Sequence, residues 1–267
     1  MKHISISKRL TALALALTLA VPTAVTLTPA IATPVKAAVS SSSQSARGSA
    51  SVGIIQLNIK DANDLSAKLS KTSYKKYTTT FTDIYDTFSE YGTNTAVAIM
   101  ASIKSLSSAK PGIVEYAFAS RKAFGFRLPS GGKQIKTIAD IEYLMNWDST
   151  SRTIDKKTKV RKGSCGIGMM GWSYDRRKAL CGMYLQYMTT DADVTPENLM
   201  KAELEFMKSE LETVYSSVLK SKKSQKTASN AAAKFITGYA KPFKTSVAAT
   251  KASKEALNIQ KALSRVK

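Results

Sequence analysis

The chain has 267 residues and a formal net charge of +21, so it is a strongly basic protein that attracts polyanions. Its single histidine, His3, lies in an N-terminal segment that we expect to be removed. Without histidine, the remaining chain has no Ser-His or Cys-His catalytic pair and no histidine-containing zinc site. Cysteine peptidases and zinc-dependent amidases are therefore excluded, and no metal site or cofactor is expected.

The first residues have the features of a secretory signal peptide. Basic residues precede an apolar run from about residue 10 to residue 27, and small residues follow it. We expect residues 1–37 to form the signal peptide, with cleavage after Ala32 or Ala37, and the protein to be secreted. An uncleaved signal anchor is the alternative, because the apolar run is nearly long enough to span a bilayer.

Composition divides the rest of the chain into three parts. Residues 38–52 are serine-rich and are predicted to be a flexible spacer. Residues 53–244 are predicted to form one main domain, and residues 245–267 a basic helical tail. The best strand candidate is "VGIIQLNI" at 52–59, and because strand signals are few, the predicted fold class is mainly α.

Apolar residues spaced three and four apart predict helices along the domain. One begins near Thr78 and breaks at "EYGTNT"; a second is capped by Asn94 or Thr95 and ends at "SSAKPG". Shorter helices are predicted at "IADIEYLMNW" and "YDRRKALCGMYLQYM". Thr195 caps the clearest helix, whose apolar positions continue to Val218, and "AAAKFITGYAKPFK" predicts the last helix before the tail.

The two cysteines, Cys165 and Cys181, bracket a glycine-containing loop. In an oxidising compartment a disulfide between them is the favoured interpretation, and two free thiols are the alternative. A disulfide would hold the loop that carries Trp172.

Three segments resemble the phage tail-tip lysozymes, which are lysozyme-fold peptidoglycan hydrolases. "TAVAIMASIKSLSSAKPG" is similar to the stretch that leads to the family's catalytic Glu-Ser-Gly and a downstream proline. "GIGMMGWSYDRRKAL" is similar to its Gly-x-Gly, Gln-Trp-Thr, Arg-Arg, Leu block, and "KAELEFMKSEL" with "AAAKFITGYAKPF" to its closing motifs. The resemblance covers roughly residues 80 to 257 and implies a lysozyme-like domain with a small irregular or β part and a C-terminal helical extension.

The chain departs from the family at the catalytic position. When Pro111 is matched to the family's proline, Leu106-Ser107-Ser108 stands where Glu-Ser-Gly belongs. Cleavage of a glycosidic bond requires a carboxylic acid that protonates the leaving oxygen, and leucine has no proton to give. We therefore expect the cleft to persist and hydrolysis to be lost. Gly171 and Ala240 also replace polar residues of the family motifs.

A relocated acid is the alternative explanation for Leu106. No Asp or Glu occurs between Glu90 and Glu115, so a substitute must come from elsewhere in the chain. The nearest carboxylates are Glu90, Glu115, Asp140 and Glu142.

The resemblance also implies residues that line the binding cleft. They are Gly166, Gly168, Trp172, Tyr174, Arg176, Arg177 and Tyr239. Trp172 either stacks on a sugar or is a core tryptophan, and Tyr239 has packing as its alternative role. Arginine forks bind carboxylates, so one arginine of the pair is expected to contact the ligand and the other to lie on a helix surface.

The predicted function is that of a secreted, cell-wall-associated protein that binds peptidoglycan or another anionic wall polymer without cutting it. A protein partner in the envelope is a further expectation, and nucleic acid is not the favoured partner. One alternative is an active muramidase with a relocated carboxylate. Another is an electrostatic binder of an anionic wall polymer, a membrane surface or DNA.

Overall fold

The computed structural model describes residues 55–220, 226–242 and 245–266. The predicted signal peptide, the predicted spacer and the first three residues of the predicted strand lie outside these residues. The fold is mainly α, as predicted. The α-helices of the described residues are α1 (Ala62–Ser70), α2 (Thr78–Phe88), α3 (Thr93–Ser107), α4 (Tyr116–Ala119), α5 (Ile138–Asn146), α6 (Tyr174–Tyr187), α7 (Pro196–Glu212), α8 (Ser216–Lys220), α9 (Ala228–Phe235) and α10 (Thr245–Ser264).

Helix α3 is the centre of the core. Every residue from Thr95 to Ile103 is buried, because α2, α9 and α10 pack around the helix. A helix that is apolar on all sides is stable only when it is enclosed in this way. The helix begins two or three residues earlier than the predicted caps Asn94 and Thr95, with Gly92 at its N-cap (φ 98°). The hydroxyl of Thr95 donates to the carbonyl of Tyr91 instead of capping the helix.

Helix α7 begins as predicted and ends earlier. The Thr195 hydroxyl accepts a hydrogen bond from the Asn198 N–H, and Pro196 occupies the first turn. The predicted apolar stripe ran to Val218, but the helix ends at Glu212, because the backbone of Thr213 leaves the helical region (φ −104°, ψ −89°). The chain resumes as the short helix α8.

The C-terminal helices pack as part of the same core. Helix α9 continues into a π-helical turn, Ile236–Ala240, which ends at Lys241 in the left-handed conformation just before Pro242. Helix α10 then lies against α3 and α9. Its buried side chains are Ala249, Ala252, Ala256, Ile259, Gln260 and Leu263. The segment predicted as a tail is therefore a long amphipathic helix with one face in the core.

The β part consists of isolated bridges in the described residues. The bridges join Ile113 to Gln134, Val114 to Ile167, Ile154 to Arg161 and Ile167 to Trp172. The prediction of a strand at 52–59 was wrong for residues 55–59, which form no ladder with another segment. No helix of the described residues is long and apolar enough to cross a membrane.

Candidate functional site

The turn after α3 carries the position of the family's catalytic acid. Leu106 lies half-buried in the last turn of the helix. Ser108 and Ala109 follow with φ values of 57° and 58°, so two residues with side chains occupy the left-handed region in succession. This conformation costs roughly 1–2 kcal/mol per residue outside glycine. The position where the motif has glycine, Ser108, thus has a backbone that favours glycine.

A tight glycine turn lies across from this segment. Ile167 and Trp172 exchange backbone hydrogen bonds of 3.0 and 2.9 Å, and the chain reverses between them. Gly168 has φ 74°, and a Cβ there would lie 2.9 Å from the carboxyl of Glu203 and from the Trp172 ring. The N–H of Gly168 donates to the Ile113 carbonyl at 2.8 Å. Gly168 therefore allows a tight turn, and its lack of a side chain lets the carboxyl of Glu203 pack closely against the backbone.

A buried carboxyl, Glu203, holds this turn to the segment after α3. One of its oxygens accepts from the Gly112 N–H (2.6 Å) and the Tyr184 hydroxyl (2.6 Å), and the other accepts from the Met169 N–H (2.6 Å). The side chain is fully buried, and burial raises the pKa of Glu203 to about 7. Among the described residues, no cationic side chain forms an ion pair with this carboxyl. The Glu203 carboxyl thus links the segment after α3, through Gly112, to the glycine turn, through Met169.

A second buried carboxyl, Glu210, holds three of the predicted binding residues. Arg176 donates two hydrogen bonds of 2.8 Å to its two oxygens. The Trp172 indole N–H (3.1 Å) and the Tyr239 hydroxyl (2.6 Å) donate to one of the same oxygens. Burial raises the pKa of Tyr239 well above its ordinary value, and its proton stays in this cluster.

The burial of these side chains favours the packing alternatives. Trp172 is 1% exposed, and its ring lies edge-to-face with Phe206 at 5.7 Å. Tyr239 is fully buried and lies 4.6 Å from the Arg176 guanidinium. A ring with no exposed face has no surface on which a sugar can stack. Trp172 and Tyr239 therefore shape the turn and the last helix in this structure.

Arg177 is buried as well, and it binds backbone carbonyls. Its Nε donates to the carbonyl of Leu144, its Nη1 to those of Gly163 and Cys165, and its Nη2 to that of Trp147, at 2.6 to 3.1 Å. The expectation that one arginine of the pair lies on a helix surface is not met, because Arg177 is fully buried. Burial lowers the pKa of Arg177. Its role is to position the loop that leads to Gly166.

Tyr174 retains some exposure among the predicted binding residues. It begins α6 with φ 55°, which is a strained conformation for a residue with a side chain. The guanidinium of Arg152 lies 4.6 Å from the centre of its ring. The side chain is half-buried, so part of it remains accessible to solvent.

Four carboxylates were considered as substitutes for the missing acid, and the structure places them differently. Glu90 is an exposed partner of Lys208 at 2.6 Å. Asp140 is buried, and it accepts hydrogen bonds from the Ser130 hydroxyl and nearby backbone N–H groups, so it caps a loop and α5. Glu142 is exposed on α5.

Glu115 is the remaining carboxylate, and it lies beside the glycine loop. Its backbone N–H donates to the Gly166 carbonyl at 2.8 Å, and its carboxylate accepts from the Gly166 N–H at 3.3 Å. The side chain keeps access to solvent, yet the surrounding protein partly desolvates the carboxyl and raises its pKa. The next residue, Tyr116, is 62% exposed, with the Arg121 guanidinium 5.4 Å from its ring.

The two cysteines are buried free thiols, so the predicted disulfide is not present in this structure. Burial raises the pKa of Cys181 to about 12 and also raises that of Cys165. A thiol of this kind is a poor nucleophile. Among the described residues, no group of three His, Cys, Asp or Glu side chains is arranged to hold a metal ion.

Sequence reasoning missed Glu203, Glu210 and Tyr116. The apolar spacing of α7 predicts that its acidic residues lie on the outer face, whereas Glu203 and Glu210 are buried. However, they are seven residues apart and lie beside Leu204 and Leu211, which places them on the apolar face of the helix. That spacing was a signal that would have predicted their burial. Nothing in the sequence distinguishes Tyr116 from a core tyrosine.

The mainly helical fold of the described residues is consistent with a lysozyme-like domain. The family model described as phage tail lysozyme matches residues 79–263, well over half of the chain. The chain belongs to the phage tail lysozyme family, which confirms the resemblance, and its general function is lysozyme-like and related to peptidoglycan. The match extends through most of α10, past the boundary predicted at residue 244. No curated protein and no solved structure gave a match.

Proposed function

We propose that this protein binds peptidoglycan outside the cell membrane and does not hydrolyse it. The observation that carries the proposal is the turn after α3. Ser108 has the left-handed backbone expected where the family motif has glycine, and this supports the alignment of Leu106 with the catalytic glutamate. Leucine provides no proton for the leaving oxygen, and removing a general acid typically lowers the rate 10² to 10⁴-fold.

The buried carboxylates do not replace this acid. Glu203 accepts three hydrogen bonds in the core, and Glu210 is engaged by Arg176, Trp172 and Tyr239. Neither has access to solvent, so neither reaches a polymer bound at the surface. Their hydrogen bonds preserve the shape of the cleft walls. This arrangement supports a scaffold kept for binding.

The surface formed by Glu115 and Tyr116, beside the buried Gly166 loop, is the binding surface that we propose. An exposed aromatic ring offers a face on which a sugar can stack, and a neighbouring carboxylate accepts hydrogen bonds from sugar hydroxyls. Tyr116 is the most exposed aromatic side chain among the large apolar residues of the described chain. It replaces Trp172 as the expected stacking residue.

The test is sedimentation of the mature protein with purified sacculi at physiological salt. Tyr116→Ala should reduce the bound fraction at least fivefold: a nucleobase stacked on an aromatic ring contributes about 1–3 kcal/mol, and we expect a loss of similar size for a sugar face. The matched control is Val214→Ala, another exposed apolar side chain (63% exposed), which should bind as the unaltered protein does. If the unaltered protein fails to sediment with sacculi, the proposal is wrong.

Hydrolysis is tested separately on the same material. The unaltered protein should release no muropeptides, and Leu106→Glu should release fragments detectable by mass spectrometry. Leu106→Gln is the control, because it introduces a polar side chain of similar size without an acidic proton. Release by Leu106→Gln would show that a general acid at this position is not what matters.

A second candidate function rests on Glu115. A carboxyl with solvent access and a raised pKa has the properties of a general acid, and it lies against the Gly166 turn. An active muramidase with Glu115 as its relocated acid would release muropeptides without any change at Leu106. Glu115→Gln would then abolish release while binding to sacculi persists. The proposed binding function predicts no release by either protein.

The proposal includes export across the membrane, because peptidoglycan lies outside it. The basic and apolar features of residues 1–37 support this. Fractionation of cells that express the full chain should recover it with the wall or the medium, with its N-terminus at residue 33 or 38. Recovery in the cytosol with an intact N-terminus would contradict export.

A further inference from the structure

Helix α10 presents a basic stripe on its exposed face. Lys251, Lys254 and Lys261 of the helix are exposed, as is Arg265, which directly follows its last residue, and their spacing places the four within a sector of about 80° at 100° per residue. The buried residues of the helix lie on the opposite side. The stripe extends over about 21 Å at 1.5 Å per residue. It is a straight row of charges on a rigid element.

Within residues 55–220, 226–242 and 245–266, no acidic side chain pairs with the stripe. The single acidic residue of α10, Glu255, is bound by Lys104 at 2.8 Å and accepts from the Tyr74 hydroxyl at 2.7 Å. The other ion pairs of the described residues lie elsewhere, and none includes a basic residue of the stripe. Unneutralised like charges in a row repel one another, and this repulsion is relieved when an anion binds.

A shallow groove of about 370 Å³ runs beside the stripe. Two of its lining residues, Lys261 and Arg265, belong to the stripe, and Ser73, Tyr74 and Asn258 supply hydroxyl and amide groups. No carboxylate lines it. The lining residues are Ser73, Tyr74, Asn258, Lys261, Ala262 and Arg265. Two more exposed lysines, Lys75 and Lys76, follow the first two in sequence. Guanidinium, ammonium, hydroxyl and amide groups together suit the oxygens of a phosphodiester.

We propose that the stripe and the groove bind a linear phosphodiester polymer that carries no nucleobases. Single exposed ion pairs contribute little, so an extended polyanion that contacts several charges at once is favoured over one phosphate. Proteins that bind single-stranded nucleic acid add exposed aromatic rings on which bases stack. The aromatic residue of this groove, Tyr74, is 7% exposed and has no free face. This surface is separate from the cleft, and its occupant is independent of the function proposed there.

The experiment measures the affinity of the mature protein for a labelled glycerol phosphate polymer of about ten units by fluorescence anisotropy. The stripe variant combines Lys254→Gln, Lys261→Gln and Arg265→Gln. The control variant combines Lys156→Gln, Lys157→Gln and Lys178→Gln, three exposed lysines on other segments, so both variants lose the same charge. Titrations are repeated between 50 and 300 mM salt.

The stripe variant should bind at least tenfold more weakly than the unaltered protein. The slope of log affinity against log salt should fall in magnitude by about 2, since each phosphate contact contributes about 0.7 on a flexible strand. The control variant should stay within twofold. Equal losses in the two variants would assign the binding to net charge and overturn the proposal.

Two further outcomes would also overturn it. Lys261 and Arg265 lie near the C-terminus of α10, where cations stabilise a helix through its dipole. A lower melting temperature of the stripe variant with unchanged affinity would show that this is their whole role. If duplex DNA of matched charge binds as tightly as the polymer through the same residues, the occupant is a nucleic acid.

Discussion

The two buried glutamates of α7 occupy similar positions and differ in their partners. Glu203 and Glu210 are two helical turns apart on one face, and both are buried. Glu210 has a cation, Arg176, that binds both of its oxygens. Glu203 has three neutral donors and, in the part of the chain that the structure describes, no cationic partner, and burial raises its pKa to about 7. Burial alone therefore does not determine the charge state of a carboxyl. A cationic partner decides whether a buried carboxylate is neutralised by an ion pair.

Removal of the cation should have the largest effect. Arg176→Ala leaves the Glu210 carboxylate buried without its partner, and we expect the free energy of unfolding to fall by about 3–5 kcal/mol. Urea denaturation at pH 7 measures it. Lys178→Ala on the exposed side of the same helix is the control, with an expected change within about 0.5 kcal/mol. A loss below about 1 kcal/mol for Arg176→Ala would show that the pair is not needed.

The protonation of Glu203 should be the next largest effect. A carboxyl whose pKa is higher in the folded protein binds more protons there than in the unfolded chain. Its contribution to stability is therefore fully present below pH 4.5 and is lost as the pH rises to about 7. The loss over this interval should be about 3 kcal/mol.

Glu203→Gln removes this titration. Unfolding free energies of the unaltered protein and of Glu203→Gln are measured from pH 4.5 to 8. Over this range the unaltered protein should lose about 3 kcal/mol relative to the variant. Glu212→Gln is the control, because Glu212 is an exposed residue of the same helix. Parallel pH profiles for the unaltered protein and Glu203→Gln would show that Glu203 does not titrate in this range.

Alanine substitutions at two glycines of one turn distinguish a steric clash from backbone strain. Gly168 and Gly171 have φ values of 74° and 69°, so alanine at either position should cost roughly 1–2 kcal/mol. A Cβ at Gly168 would also lie 2.9 Å from the Glu203 carboxyl, whereas nothing lies within 4 Å at Gly171. Gly168→Ala should cost about 1–3 kcal/mol more than Gly171→Ala in thermal or urea unfolding. Equal losses would mean that the Glu203 side chain yields freely.

The smallest effect is expected for a carboxylate at the surface. Glu90 and Lys208 form an exposed ion pair, and solvent screens such pairs. Lys208→Ala should change the free energy of unfolding by less than about 0.5 kcal/mol, and the change should vanish at 1 M salt. A loss comparable with that of Arg176→Ala would show that geometry at the surface matters as much as burial.

The sequence predicted the helices because their apolar spacing reports which faces are buried. The start of α7 at Thr195 and Pro196, and the break between α2 and α3, were predicted from capping and from glycine. The end of α7 at Glu212 was not, because apolar residues continue beyond it with helical spacing. Backbone conformation at Thr213 depends on tertiary packing, which overrides local spacing.

The candidate site was predicted less well, because a residue type has several uses. Trp172, Arg176 and Tyr239 were predicted to line the binding cleft, yet their polar groups bind Glu210. The spacing of apolar residues does not distinguish an exposed acidic residue from a buried one whose hydrogen-bond partners lie far away in the sequence. The partners of Glu210 come from segments 34 and 29 residues away, and that pairing arises only in the folded chain.

Arg177 gathers four carbonyl oxygens from the chain on either side of the loop that leads to Gly166. Its guanidinium binds these carbonyl oxygens much as a calcium ion binds the carbonyl ligands of a calcium-binding loop. The difference is that this cation is covalently attached to α6. A chelator cannot extract it, and an arginine does not lose its proton at any physiological pH. The loop should therefore keep its shape in EDTA and across the pH range in which Glu203 titrates.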